Sequence, residues 1–400
     1  MIAALLAASL TLSDVEREAV AQAPSVSEAR ARVNEQQALL DAARGGGAPH
    51  AVVNYAQVPQ GGATGGTILQ RLTTVGAQVV LGDLAARNPL VAQASAALRS
   101  ATATEAGAEV AERIKAIRLF IDAIRTREVT SLRGEIYRAA QADRNAAFVR
   151  FEAGDVARLD VVRTDVGVAR AQADLATARA DEINAKRNLA IEIAAPLNTL
   201  QVPTLAQAGA PPMLTVSLDS AVQRALANRP EIRSARAEVA AEEYAVRASH
   251  RSVLPALTVQ AGYTAGTDSG VNVSGPSANV TLDIPVSRVA NDRTHAEEAR
   301  FAQAQARLAS ATQTVTTEVS NAFESLAAQR EAVAAGATAR AEAFAEIQAA
   351  TVGYREGAAS SLDLADARRT YAAAVVDDIT ARAALDESIF TFALAVGEQR

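Results

Sequence analysis

The clearest pattern along the chain is a long run of apolar residues returning every three or four positions. Between about Ala85 and Phe151, Ile114, Ile117, Ile121 and Ile124 recur at spacings of three, four and three, as in a coiled-coil seam. No proline follows Pro89 in this stretch and glycine is rare. The pattern predicts one helix of roughly 65 residues, which at about 1.5 Å per residue is roughly 100 Å long. The second half repeats it from about Val289 to Tyr354, with Val319, Leu326 and Val333 seven apart. After Gly154 a further helix is expected to about Ala194. Its expected seam is Val162, Val166, Ala169, Ala173, Ala176, Ala180 and Ile183, and the small residues suit close helix–helix approach. A compact globule of this length is only about 50 Å across, so an elongated molecule is expected. Taken alone, the helices fit a soluble coiled-coil rod or a spectrin-like bundle.

Two other stretches change period. Leu257, Val259, Ala261 and Tyr263 alternate with Thr258, Gln260, Gly262 and Thr264. Ala278, Val280, Leu282 and Ile284 alternate with Asn279, Thr281 and Asp283, beyond a turn-rich Gly266-Thr-Asp-Ser-Gly270. This is the period of a strand, over about the 9–11 residues that a tilted membrane strand needs. A weaker version joins Val53 and Tyr55, through Gly61, Gly62, Gly65 and Gly66, to Ala77, Val79 and Leu81. Hairpins are therefore expected over about 50–82 and 256–286, each between two long helices. A soluble sheet with one face buried on the helices is one reading. The polar face of Asn, Gln, Thr and Asp fits a wet lumen instead. A sheet in lipid must close on itself, and four strands cannot close a barrel; three copies would supply twelve.

The halves also match each other. Leu12–Ala31 aligns with Leu218–Ala237, bringing Pro24 onto Pro230, Ala29 onto Ala235 and Arg30 onto Arg236. Phe151-Glu-Ala-Gly154 falls on Tyr354-Arg-Glu-Gly357, and Leu159-Asp160 on Leu362-Asp363. Between the halves lie Pro196, Pro203, Pro211 and Pro212, which cannot continue a helix. Two repeats are expected, 1–205 and 206–400.

Composition narrows the function. Only 4% of the 400 residues are aromatic, Trp and Cys are absent, and the formal charge is −6. That balance gives no electrostatic support for nucleic acid. The lack of Cys excludes disulfides, thiolate metal sites and a lipid anchor on that residue. No stretch reaches the roughly 20 apolar residues of a spanning helix. Met1–Leu12 is apolar and alanine-rich, read as the remnant of a secretory signal or the start of a mature chain. His50, His250 and His295 are far apart in sequence, without metal-ligand spacing. Gly45-Gly-Gly47 precedes a strand rather than a helix, so it is no phosphate loop. No enzyme and no cofactor or metal is expected.

At this point the residues match a known family. Arg150-Phe-Glu-Ala-Gly-Asp-Val-Ala-Arg-Leu-Asp-Val-Val-Arg163 resembles the helix-hairpin tip of TolC-type outer-membrane efflux proteins, and Gly353-Tyr-Arg-Glu-Gly-Ala-Ala-Ser-Ser-Leu-Asp-Leu-Ala-Asp366 resembles the second tip. Leu218-Asp-Ser-Ala-Val-Gln-Arg-Ala-Leu-Ala-Asn-Arg-Pro230 looks like that family's entry to a long helix. The resemblance runs from about Leu12 to Gly397. It implies a mainly α fold, with long antiparallel coiled-coil helices forming a periplasmic α-barrel and four strands per protomer in a trimeric 12-stranded outer-membrane β-barrel. The function it implies is a passive exit channel of a tripartite efflux or secretion system, in the outer membrane and reaching into the periplasm. The implied partners are outer-membrane lipid, a periplasmic adaptor and an inner-membrane pump. Ala153, Gly154, Asp155, Glu356, Gly357 and Ala358 are the implied adaptor-binding tips, and Asp160, Tyr354, Asp363 and Asp366 the implied pore gate. An arginine often found in the family two residues after the second-tip glycine is Ala359 here. Asp283-Ile-Pro-Val and Asn291-Asp-Arg293 faintly resemble the heavy-metal branch; drugs, metal ions and proteins all stay open as cargo. A soluble coiled-coil scaffold and a substrate-specific porin without adaptors are the alternatives.

Overall fold

The computed structural model describes residues 10–45, 48–61, 67–198, 200–204, 216–252, 256–268, 271–283 and 289–397. Outside them lie Met1–Ser9, Gly46, Gly47, the loop glycines Gly62, Gly65 and Gly66, the linker prolines Pro211 and Pro212, Ser269–Gly270 and Ile284–Val286.

Among the described residues, two short helices, α1 (Leu12–Gln22) and α2 (Pro24–Gly45), lead into strands β1 (His50–Gly61) and β2 (Thr67–Val80). The long helix α3 (Leu81–Glu152) and the return helix α4 (Arg158–Glu192) follow. The second half gives the same order: α5 (Leu218–Asn228), α6 (Pro230–Ser252), β3 (Ala256–Asp268), β4 (Val271–Asp283), α7 (Val289–Glu356) and α8 (Ser361–Ala395). Helices α3 and α7 run 72 and 68 residues. The first begins at Leu81, earlier than its pattern suggested, and carries Pro89 near its start. Leu81 thus opens a helix rather than closing a strand. Gly266–Asp268 belongs to β3 rather than to a loop, because its backbone stays paired with Val271–Val273.

The chain divides into two compact units, and each takes residues from both sequence repeats. The first comprises Met1–Ser27, Ala106–Arg229 and Gln313–Arg400. Its core joins Val15 and Ala19 of α1 to Phe120 and Ile124 of α3, Leu189 of α4, and Leu200 and Val202 of the linker. A second cluster sets Ile117 and Ile121 against Ala383 and Leu394 of α8. The predicted isoleucine seam is therefore the buried seam. On α4 the outcome differs. Ala171, Leu175, Ala178, Ala185, Leu189 and Ala190 are buried, whereas Val162, Val166, Ala169, Ala173, Ala176, Ala180 and Ile183 are exposed in the protomer. An alanine-rich helix carries two stripes of the same spacing, and the protomer covers the one with the two leucines, which bury more area.

The second unit comprises Glu28–Glu105 and Pro230–Thr312. Its helices meet through small side chains, including Ala96, Ala103, Ala241, Ala245 and Ala304. Arg30 reaches Glu105 (3.1 Å) and Arg307 reaches Glu238 (2.6 Å). Its sheet has the order β1-β2-β3-β4, antiparallel throughout. The register is unbroken by bulges, so one parity of residues shares each face. One face carries Val53, Tyr55, Val75, Tyr263, Val280 and Leu282, between 55% and 69% exposed. The other carries Thr74, Gly76, Gln78, Gln260, Gly262 and Thr264, all half-buried. Among the described strand residues no hydrophobic side chain is buried. A soluble sheet buries its apolar face on something; this sheet turns that face outward.

Candidate functional site: the two helix-hairpin tips

At each tip one long helix ends and another starts within five residues. Gly154 and Gly357 have φ of +82° and +79°, the left-handed conformation that glycine adopts without penalty. Two closing hydrogen bonds recur at both tips. The Asp155 N–H donates to Arg150 O (2.8 Å) and that of Gly154 to Phe151 O (2.9 Å). The Ala358 N–H donates to Gly353 O (2.8 Å) and that of Gly357 to Tyr354 O (3.4 Å). This is the paired closure of a Schellman C-cap, with glycine at the left-handed position. The expected tip residues Ala153, Gly154, Asp155, Glu356, Gly357 and Ala358 are all exposed. The return helices start differently. Ser360 caps α8 in a capping box with Asp363, while Ala157 opens α4 without a side-chain bond.

The expected gate residues hold distinct places. The Tyr354 ring lies under the Arg150 guanidinium, whose Cζ is 5.0 Å from the ring centroid, and its buried hydroxyl has no hydrogen-bond partner among the described residues. Asp160 accepts from the Ser361 hydroxyl (2.5 Å) and lies 3.6 Å from Arg163. Asp363 is fully exposed, and the Ser360 backbone N–H and hydroxyl hold its carboxyl below the usual range. Asp366 pairs with Arg369 one turn on. Asp160 and Tyr354 are thus tied to the opposite hairpin, whereas Asp363 and Asp366 make local bonds.

Two further residues of the tip motifs link the hairpins, Arg150 and Ser361. Arg150 Nη1 donates to the Tyr354 carbonyl (3.1 Å) while its plane covers the Tyr354 ring. It therefore neutralises an end carbonyl of α7, where a cation is favourable, and stacks as only a guanidinium can. Ser361 is the other, as the donor to Asp160. Higher up, Arg368 of α8 makes a two-point pair with Asp143 of α3 (2.5 and 2.6 Å). Burial raises the Asp143 carboxyl, and Arg368 pulls against that rise. The spacing of Arg150 from the glycine was visible in sequence; its partner, 204 residues away, was not.

Elsewhere, His250 and His295, distant in sequence, both approach Glu298 (3.9 and 3.1 Å). Among the described residues no cluster of three or more His, Cys, Asp or Glu could hold a metal. No described helix is long and apolar enough to cross a membrane.

Helical hairpins ending in matched glycine turns, and a four-stranded antiparallel sheet with an exposed apolar face, make a fold shared with solved outer-membrane channels. The outer-membrane channel OprN aligns with a TM-score of 0.81 at 20% identity, covering 97% of this chain and 90% of that one. The open-state MtrE channel of Neisseria gonorrhoeae aligns at 0.79 and 19% identity, covering 96% and 88%. In sequence, residues 221–398 match the family described as outer membrane efflux protein. The efflux protein BepC of Brucella suis biovar 1 (strain 1330) is 27% identical over 265 residues, 64% of this chain but 56% of BepC. Residues 221–398 thus resemble the outer membrane efflux protein family in sequence, and nearly the whole chain has the fold of solved outer-membrane channels.

Proposed function

We propose that this chain is the exit duct of a tripartite efflux or secretion system, passing solutes handed over on the periplasmic side to the exterior. The observation that carries the proposal is the sheet. Its strands are 12 to 14 residues long, enough to cross a bilayer at a tilt, and their apolar side chains point outward. Among the described residues the outer edges of β1 and β4 are unpaired, and lipid tolerates no open edge. Three copies closing twelve strands satisfy both.

The tips are proposed to work in two ways. Ala153, Gly154 and Asp155, with Glu356, Gly357 and Ala358, form the adaptor contact, where small residues allow a helix of the adaptor to come close. Asp160, Tyr354, Asp363 and Asp366 form the gate, with the exposed Asp363 and Asp366 repeated around the trimer as carboxylate rings that favour cations. The inner-membrane pump supplies the energy, and the duct itself consumes none. The two repeats, 1–205 and 206–400, are read as a duplication, supported by the identical element order and the matched glycine caps.

The test is to express the chain behind a secretory signal, extract the outer membrane in detergent, and measure native mass. A membrane-embedded species near three times 41.4 kDa that retains a periplasmic adaptor on copurification is expected. A soluble monomer or dimer would leave only a coiled-coil scaffold, and a trimer that binds no adaptor would point to a porin.

A further inference from the structure

We propose that the polar face of the sheet is a charge-free, hydrogen-bonding filter that admits solutes of either charge sign, with Gln78, Gln260 and Asn279 as its specificity-determining residues. The inference rests on the trimeric-channel reading and adds what the inner wall recognises.

The register sets His50 opposite Gln78, Gln78 opposite Gln260, and Gln260 opposite Asn279. One level of the sheet, on one face, thus carries an imidazole and three carboxamides on four consecutive strands. A carboxamide both donates and accepts, so such a belt offers partners to solute groups of either kind. The belt is ordered from one side: Asn54 Nδ2 donates to Gln260 Oε1 (3.3 Å). The neighbouring level is Gly76 opposite Gly262. A Cβ added there would fall 2.3 Å from Ala261 O or 2.5 Å from Val75 O, so only glycine fits on β2 and β3 at that level and neither strand places a side chain next to the carboxamides. One level further on, Thr74 and Thr264 share a hydrogen bond (2.7 Å), and the Thr264 hydroxyl donates to Ser277 (2.8 Å), which stands at the glycine level on β4.

Charge is confined to the ends of this face. Asp283 stands at one end, paired with Ala256, and Asp268 at the other, paired with Val271. Between them, among the described residues, this face has no carboxylate, ammonium or guanidinium apart from the His50 imidazole. Rings of fixed charge are what give a pore a sign preference. In the trimer the wall between the aspartates sorts by size and hydrogen bonding, and sign preference arises at the aspartates.

The chain has no cysteine, so a single introduced thiol is unique. Gln260→Cys and, on the opposite face, Tyr263→Cys are reconstituted as full-length channels in planar bilayers under a salt gradient. They are then treated with a water-soluble trimethylammonium thiosulfonate. Labelling of Gln260→Cys should lower conductance and shift the reversal potential toward anions, as should Gln260→Lys without reagent, while Tyr263→Cys stays unchanged. If a membrane trimer of correct native mass keeps its wild-type reversal potential with Gln260→Lys and with labelled Gln260→Cys, the filter is refuted and the channel reading stands. If Tyr263→Cys is the labelled pore position, both fail, because the faces are reversed.

Discussion

Single residues decide how firmly the tips are held. Arg150 joins the hairpins through a backbone carbonyl and an aromatic face at once. Arg150→Ala is therefore expected to raise single-channel conductance or open probability while the trimer forms normally. Arg150→Lys should behave like the alanine variant, since an ammonium lacks the plane that stacks. Equal conductance in all three would remove Arg150 from the gate. A different role falls to Asp378, which is 1% exposed and accepts from Arg340 Nη1 and Arg382 Nε, both at 2.9 Å. Its partners are nearly half exposed and can rehydrate when the acid is lost. Removing both arginines instead strands a buried carboxylate, at a cost of about 3–5 kcal/mol. Denaturant titration should rank the Arg340→Ala/Arg382→Ala pair below Asp378→Asn. Asp386 is set by burial alone, which raises its carboxyl to about 6. A carboxyl raised on folding contributes stability in full below its unfolded value of 3.8 and loses it as pH rises through about 6. Asp386→Asn should raise the melting temperature at pH 7.5 and leave it nearly unchanged at pH 4. A variant that melts like the wild type at both pH values would contradict this. None of these three roles was legible in the sequence, because each depends on what a neighbouring helix brings.

Among the elements, the strands and long helices were the most legible. Period two and period 3.5 are imposed by backbone geometry, and the isoleucine seam of α3 is buried as its spacing indicated. The seam of α4 was not legible. Alanine contributes little area, so two stripes of equal spacing compete and the partner helices choose. The tip glycines were legible as turns, and the structure adds why they must be glycine. At φ near +80° a Cβ costs about 1–2 kcal/mol, although open space surrounds both positions in the protomer. Gly357→Ala should therefore destabilise by about that amount in thermal unfolding of the extracted protein. It follows that a bulky residue at Gly357 confounds backbone strain with blocked docking. Ala153→Trp and Ala358→Trp are cleaner, since neither residue has positive φ. They should abolish adaptor copurification without lowering the melting temperature, and retained binding would exclude the tips as the contact.

At the scale of the whole molecule, the sequence carried one inference of unusual reach: a membrane sheet of four strands demands further copies. The outward apolar face supports its premise. What sequence could not supply was the pairing between the hairpins. Arg150 with Tyr354 and Asp160 with Ser361 are separated by about half the chain, and composition holds no trace of such pairs. The two similar hairpins are thus joined by links that are not copies of each other. The most direct test of the account is single-channel recording of the purified oligomer in planar bilayers, beside Arg150→Ala. Discrete conductance steps, larger or longer-lived in the variant, are predicted. A membrane-embedded trimer that conducts in neither form would contradict the proposal that this protein is a channel gated at its tips.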